Sequence, residues 1–307
     1  MLKTCTTWQR TLVFLLLALA LMLSACGGSQ SSTTGAAPSP TPTQAPKGSI
    51  PSSLPTLMVM AMDYKFQIPA TVNAGLMVVT FMNDGKEPHE LSFVRINDSV
   101  TVQQYKAQLE AFPPKAFTMS KWRGGAATIM PGQSERVVIN LDPGQYALIC
   151  FVESPNGMPH FVEGMFTPFK VVASASQTTE PTADAEVSIK MYNFTLPTIK
   201  AGTMILKVTN NDNTGHEMNL LKLADGKTIQ DVKAFLHQKK GPPPLNAQTY
   251  GPAPYTYAGG IQPIEPGLSN WVELNLAPGN YVAVCFVPEI AGISHVDEGM
   301  IKEFTVQ

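Results

Sequence analysis

The sequence has few charged residues and few of the side chains that usually perform chemistry. Charged residues make up 14% of its 307 residues, the formal net charge is -2, and only four cysteines and five histidines are present. This balance gives no support to nucleic-acid binding, which requires a surplus of lysine and arginine. The sequence contains no glycine-rich phosphate loop, no nucleophile elbow and no carboxylate pair with the spacing of a catalytic dyad.

The sequence also lacks an apolar run long enough for a membrane span. Leu12–Leu23 is apolar and follows Lys3 and Arg10, but a spanning helix needs about 20 apolar residues. The run is typical of a secretion signal. Leu23-Ser24-Ala25-Cys26 at its end resembles the lipobox of bacterial lipoproteins, which predicts a signal peptide over residues 1–25 and lipid on Cys26. The alternative is an ordinary cleaved signal with an incidental cysteine. With a lipidated Cys26, we expect the chain to be anchored to the membrane of a bacterial cell envelope, outside the cytoplasm.

Residues 26–55 are rich in Ser, Thr, Pro and Ala. This composition predicts a disordered tether. A second polar stretch at 174–185 predicts a linker between two related segments, 56–173 and 186–307, each interpreted as one domain.

The two segments repeat each other. Tyr64–Pro69 and Tyr192–Pro197 alternate polar and apolar residues. Gly75 and Gly202 each precede a run of β-branched and other apolar residues. These patterns predict strands. Between them and the later part of each repeat, the segments beginning at Thr101 and Thr228 resemble capping boxes and continue with apolar residues at helical spacing. One short helix per domain is therefore predicted, ended by Pro113-Pro114 in the first and Gly241–Pro244 in the second.

The later part of each repeat carries a Gly-x-Tyr-x-x-x-Cys strand followed by a His and a Met. Nine residues separate Cys150 from His160 and Cys285 from His295, and four residues separate each of these histidines from Met165 or Met300. An upstream histidine, His89 or His216, follows an Asn-containing turn in each repeat. A thiolate, two imidazoles and a thioether suit copper that cycles between two oxidation states. The alternative is that these residues serve only in packing.

These motifs resemble those of the cupredoxins, the blue (type 1) copper proteins. The long Cys–His loop is similar to that of copper nitrite reductases. The resemblance implies an all-β chain of two tandem Greek-key β-sandwiches or barrels, each with a short helix inserted between the first ligand His and the Cys strand. It also implies two type 1 copper sites: His89, Cys150, His160 and Met165 in the first, and His216, Cys285, His295 and Met300 in the second. Glu90 and Glu217 depart from the pattern, because cupredoxins often have Asn there to brace the Cys loop.

Three functions follow from these observations. The first is a tethered electron-transfer protein with an unidentified redox partner protein and no enzyme activity. The second is a copper oxidase or a nitrite-reductase-like enzyme, but the two sites use four of the five histidines and leave only His237. The third is a copper-free interaction module. Cys150 and Cys285 occupy equivalent positions in separate repeats, so no disulfide is expected between them.

Overall fold

The computed structural model of the chain describes residues 47–175, 179–238 and 252–307. The predicted signal peptide, Cys26, most of the predicted tether and the Gly241–Pro244 helix end lie outside these residues. Within the described residues, no helix is long and apolar enough to cross a membrane.

Strands dominate both repeats. The first repeat contributes β1 (Thr56–Met62), β2 (Lys65–Gln67), β3 (Thr71–Asn73), β4 (Gly75–Asn83), β5 (His89–Ile96), β6 (Ser120–Ile129), β7 (Ser134–Leu141), β8 (Gly144–Ile149) and β9 (Phe166–Val172). The second repeat contributes β10 (Ala185–Lys190), β11 (Asn193–Thr195), β12 (Gly202–Asn210), β13 (His216–Leu223), β14 (Tyr255–Ile264), β15 (Ser269–Leu276), β16 (Gly279–Val284) and β17 (Ile301–Val306). The described helices are α1 (Val102–Ala111), α2 (Pro113–Phe117) and α3 (Ile229–Gln238).

The strands form two sheets, and each sheet runs through both repeats. One sheet has the order β11-β10-β12-β15-β7-β4-β1-β2, and the other has the order β17-β16-β13-β14-β6-β5-β8-β9-β3. Within each repeat the chain crosses repeatedly between the sheets, as in Greek-key sandwiches. The all-β fold and the helix between the first His and the Cys strand are confirmed.

The two repeats join by strand pairing about a local two-fold axis. Strand β7 pairs antiparallel with β15, with Val137 opposite Val272, and β6 pairs antiparallel with β14, with Ala126 opposite Ile261. In both pairs a residue faces its own counterpart from the other repeat, which is the geometry of an isologous dimer interface. One hydrophobic core, from Leu57 to Val306, continues through both repeats.

The helices cover the outer face of the second sheet. Tyr105 and Leu109 of α1 are fully buried against residues of β5 and β8, and Val232 of α3 is fully buried against β13 and β16. The Thr101 capping box is confirmed, since Thr101 Oγ1 accepts from Gln104 N and Gln104 Oε1 accepts from Thr101 N. The Thr228 side chain and Asp231 make the same pair of bonds.

Helix α1 ends at Ala111, just before Pro113-Pro114, as predicted. Pro113 then begins a second short helix, which the sequence pattern does not indicate. Pro113 occupies the first turn of this helix, α2, where the missing N–H would have no partner in any case.

The last part of the predicted tether is also ordered. Ser49 N donates to Thr182 O at 2.8 Å, and Gly48 N donates to Asp184 Oδ1 at 2.7 Å. Leu54 is buried in a cluster that includes Val138 and Trp271. Residues 47–55 are therefore packed where the two repeats meet, because Ile50 and Leu54 provide apolar contacts to residues of both repeats.

Glu135 links the repeats from within the core. This residue of β7 is buried, and its carboxyl oxygens accept from Ala127 N at 3.2 Å and from Gly260 N of β14 at 2.8 Å. Burial raises the pKa of Glu135 to about 8. An unfolded chain loses this proton near pH 4.3, so the contribution of Glu135 to stability falls as the pH rises from about 5 to 8.

We expect Glu135→Gln to flatten that pH dependence, because the amide keeps an acceptor oxygen and does not ionise. Glu135→Ala should destabilise the protein by about 1–3 kcal/mol, because two buried N–H groups lose their acceptor. Denaturant unfolding at pH 5 and pH 8 measures both effects, with the exposed Glu110→Gln as the control. An equal pH dependence in Glu135→Gln and the unaltered protein would contradict the buried-acid interpretation.

Candidate metal centres

The first site brings together His89, Cys150 and His160. His89 is the first residue of β5, Cys150 directly follows β8, and His160 lies in the loop before β9. All three side chains are fully buried. The two Nδ1 atoms lie 3.0 Å apart, and Cys150 Sγ lies 3.9 Å from His89 Nδ1 and 3.4 Å from His160 Nδ1.

The second site repeats this arrangement with His216, Cys285 and His295. Cys285 Sγ lies 3.8 Å from His216 Nδ1 and 3.3 Å from His295 Nδ1, and the three ligand atoms are all within 4.8 Å of one another. These two groups are the clusters of three or more metal-binding His, Cys, Asp or Glu residues found among the described residues. His237, the remaining histidine, lies exposed on α3.

In each repeat an asparagine fixes the backbone turn that precedes the first site histidine. Asn83 Nδ2 donates to Glu87 O at 2.8 Å and to Ile129 O at 3.1 Å. Asn210 Nδ2 makes the matching bonds to Thr214 O and Ile264 O, both at 2.8 Å. The Asn-containing turns recognised in the sequence thus hold the strand ends from which His89 and His216 project.

Backbone hydrogen bonds fold the loop after each cysteine onto the site. In the first repeat, His160 N donates to Val152 O at 2.8 Å, Met165 N donates to His160 O at 2.8 Å, and Cys150 N donates to Met165 O at 3.3 Å. His295 and Met300 make equivalent bonds in the second repeat. Met165 and Met300 are fully buried, and these bonds place their backbones directly beside the other proposed ligands.

Cys150 and Cys285 are free and buried. The strand tyrosines Tyr146 and Tyr281 are also buried, but their hydroxyls donate to Asp142 O and Ala277 O at the start of each Cys strand. They fix the strand rather than the ligands themselves.

Glu90 and Glu217 replace the expected asparagine brace with a carboxyl brace. Glu90 Oε1 accepts from Phe151 N at 3.0 Å, and Glu217 Oε1 accepts from Phe286 N at 2.6 Å. In each case the donor is the residue that follows the cysteine. Glu90 N also donates to Cys150 Sγ at 3.5 Å. The departure from the cupredoxin pattern therefore preserves a connection between the first histidine and the Cys loop.

The outer nitrogen of every site histidine contacts a carboxylate, and no sequence motif links these carboxylates to the sites. The Nε2–oxygen distances are 2.8 Å for His89–Asp63, 3.0 Å for His160–Glu87, 3.2 Å for His216–Asp212 and 3.1 Å for His295–Glu289. Tyr64 OH donates to Glu87 Oε1 at 2.9 Å, and Tyr192 OH donates to Glu289 Oε1. A carboxylate on the outer nitrogen orients a metal-binding imidazole.

Burial sets the protonation state of the site imidazoles and thiols. It lowers the pKa of His160 and of His216 to about 4, and it lowers the pKa of His89 and His295 in the same direction. The imidazoles are therefore neutral near pH 7 and can act as ligands. Burial raises the pKa of the Cys150 and Cys285 thiols well above the usual range, so a bound cation is needed to favour the thiolate.

A cavity of about 400 Å³ lies between the repeats, next to both cysteine loops. Its lining includes Glu90, Glu217, Phe151 and Phe286. Burial and, second, the nearby Glu90 raise the pKa of Glu217 to about 8. The two braces therefore face one shared space close to the local two-fold axis.

The donor atoms fit a transition-metal ion. In the first site, the three donor atoms lie 3.0–3.9 Å from one another. These distances agree with donors about 2.0–2.3 Å from a central ion, the bond lengths that nitrogen and thiolate ligands form. Two imidazoles and one thiolate in this arrangement, with methionine nearby, match the ligand chemistry of blue copper.

No protein-family model matches the chain, and no curated protein matches it in sequence. The similar solved structures include auracyanin A, a "blue" copper protein from Chloroflexus aurantiacus, with 15% identity, 39% of this chain and 98% of that chain covered, and a TM-score of 0.26. A multicopper oxidase has 15% identity, coverage of 85% and 93%, and a TM-score of 0.26. A copper-containing nitrite reductase from Thermus scotoductus SA-01 has 12% identity, coverage of 82% and 61%, and a TM-score of 0.22.

All three of these similar structures are copper proteins. In this chain, the two-sheet fold and two buried His–Cys–His groups fit cupredoxin-like metal sites.

Proposed function

We propose that this protein is a membrane-tethered, extracytoplasmic electron-transfer protein with one type 1 copper site in each repeat. The observation that carries the proposal is the convergence of two imidazole Nδ1 atoms and one thiol Sγ in a buried site, made twice by matched chain positions. Met165 and Met300 are the proposed fourth ligands.

Copper bound to such a donor set supplies reversible one-electron chemistry. The residues of the chain hold the donor atoms in place while the charge changes. The asparagine-fixed strand ends hold His89 and His216, and the glutamate braces hold the residue after each cysteine. Limited movement of the ligands favours rapid electron exchange with an unidentified redox partner protein.

The burial of these groups argues against a role in packing alone. Each site removes three polar atoms from water and directs them at one another. In the first site, two imidazole nitrogens face each other at 3.0 Å, and at most one hydrogen can lie between them. Buried polar atoms are usually hydrogen-bonded, and a metal ion would satisfy all three.

Carrier function is proposed over catalysis because the proposed ligand sets fill both sites. Two nitrogens and two sulfurs leave no position for a substrate, whereas catalytic metals usually keep one open. Each site cysteine is also flanked by apolar residues rather than by histidine: Ile149 and Phe151 in the first repeat, and Val284 and Phe286 in the second.

We expect two copper ions per chain, and the loss of about one ion in each of Cys150→Ser and Cys285→Ser, because the thiolate is the strongest ligand. Metal analysis and the visible absorption of Cu(II)-loaded protein measure this. His237→Ala, which alters the exposed histidine on α3, should keep both ions. Wild-type copper content in both serine variants would refute the assignment, and a colourless, copper-free wild type would favour the interaction module.

The electron-transfer hypothesis predicts no sustained turnover of oxygen or nitrite. Copper-loaded protein reduced with a mild donor should lose its colour and regain it slowly in oxygen or nitrite. It should not consume either acceptor over many cycles. Multi-turnover consumption that is lost in Cys150→Ser or Cys285→Ser would instead identify an enzyme.

The membrane tether is proposed from Leu23-Ser24-Ala25-Cys26 and the polar segment that follows. Cys26→Ala should abolish lipid labelling and normal processing in a bacterial host. Cys5→Ala is the matched control, because Cys5 would leave with the signal peptide, and it should label normally. Unchanged labelling of Cys26→Ala would exclude this anchor.

A further inference from the structure

The carboxylates on the outer imidazole nitrogens come from different chain positions in the two repeats. The turn before the first histidine shows this clearly. Asn83 Oδ1 accepts from Gly85 N at 2.9 Å, and Asn210 Oδ1 accepts from Asp212 N at 3.0 Å. Gly85 is therefore the structural counterpart of Asp212, and the first repeat has no carboxylate where the second repeat has one.

In the first repeat Asp63 supplies this carboxylate from the turn between β1 and β2. Its counterpart in the second repeat is Met191, which is 79% exposed. A Cβ atom on Gly85 would lie 2.4 Å from Asp63 Oδ1 and 2.6 Å from His89 Nε2. A side chain at position 85 thus competes for space with the Asp63 carboxylate, and the His89 ring would also have to shift to admit it.

The carboxylate on the second histidine has also changed position. Asn83 Nδ2 donates to Glu87 O and Asn210 Nδ2 donates to Thr214 O, so Glu87 corresponds to Thr214. In the loop after the cysteine, Ser154 N donates to Met158 O and Glu289 N donates to Ile293 O. Glu289 therefore corresponds to Ser154.

The tyrosines that contact these glutamates have kept their positions. Tyr64 and Tyr192 occupy the same place after β1 and β10, and each donates to the glutamate of its own site although the two glutamates come from different loops. Simple duplication would leave carboxylates at matching positions. Two different routes to the same contact indicate that the contact itself is required.

We propose that Asp63 and Glu87 in the first site, and Asp212 and Glu289 in the second, are positioning residues that set the balance between Cu(II) and Cu(I). This inference rests on the proposed function. Each carboxylate accepts the Nε2 hydrogen of its histidine, which leaves the Nδ1 lone pair directed at the metal. Two negative charges beside each site also favour the more positive oxidation state.

The proposal is tested by moving the carboxylate from its position in the first repeat to its position in the second. The full chain carries Cys285→Ser, so that copper is measured only at the first site. Asp63→Met should weaken Cu(II) binding about 10–100-fold and raise the reduction potential. Adding Gly85→Asp to Asp63→Met copies the second repeat and should restore both quantities toward the starting values. Asp63→Asn removes the charge but keeps an acceptor, so it should raise the potential while the histidine tautomer is retained.

Nitrogen NMR of the histidine rings in the metal-free protein gives a readout that needs no copper. We expect His89 to carry its hydrogen on Nε2 in the starting protein and in Asp63→Asn, and to lose that preference in Asp63→Met. Asp84→Asn, an exposed carboxylate on the same turn, is the matched control and should change nothing.

An unchanged potential and Cu(II) affinity in copper-loaded Asp63→Met and Asp63→Asn would overturn the proposal. A well-folded double variant that binds copper but does not recover either quantity would also overturn it. A starting protein that binds no copper would instead refute the proposed function, and the NMR comparison would still decide whether the carboxylates orient the imidazoles.

Discussion

Each candidate metal centre depends on three polar atoms that lie together in a place that water does not reach. A thiol and two neutral imidazoles are costly to bury unless something satisfies them, and both repeats bury them completely. The surrounding hydrogen bonds are directed at this arrangement. Asparagines hold the strand ends, carboxylates hold the outer nitrogens, and glutamates hold the residue after each cysteine. The polar contacts around each site therefore hold the donor atoms together rather than apart.

The pairing of the repeats gives these centres a common frame. Strands β7 and β15, and strands β6 and β14, pair about a local two-fold axis. The hydrophobic core continues through the junction, and Glu135 bonds across it from the inside. The chain consequently resembles a symmetric dimer whose subunits are covalently joined, and the two glutamate braces meet near the axis.

The sequence predicted the features that are encoded by local spacing. The Cys strands, the inserted helices and the Cys–His–Met loops all depend on residues a few positions apart, repeated in register. Asp63 and Glu289 could not be assigned in this way, because nothing in their local sequence says which histidine they contact. The pairing of the repeats was also missed, because strand edges that meet about an axis carry no motif. Composition alone places residues 47–55 in the tether, because it does not reveal that Leu54 has a partner surface.

The covalent link between the repeats has a consequence for the sites themselves. A homodimer must build both of its centres from one sequence, so the centres are identical. In this chain each centre has its own sequence. The corresponding positions Ser154 and Glu289 already differ, although the two centres keep the same geometry. Under the proposed function, one molecule would therefore hold two copper ions whose reduction potentials need not be equal.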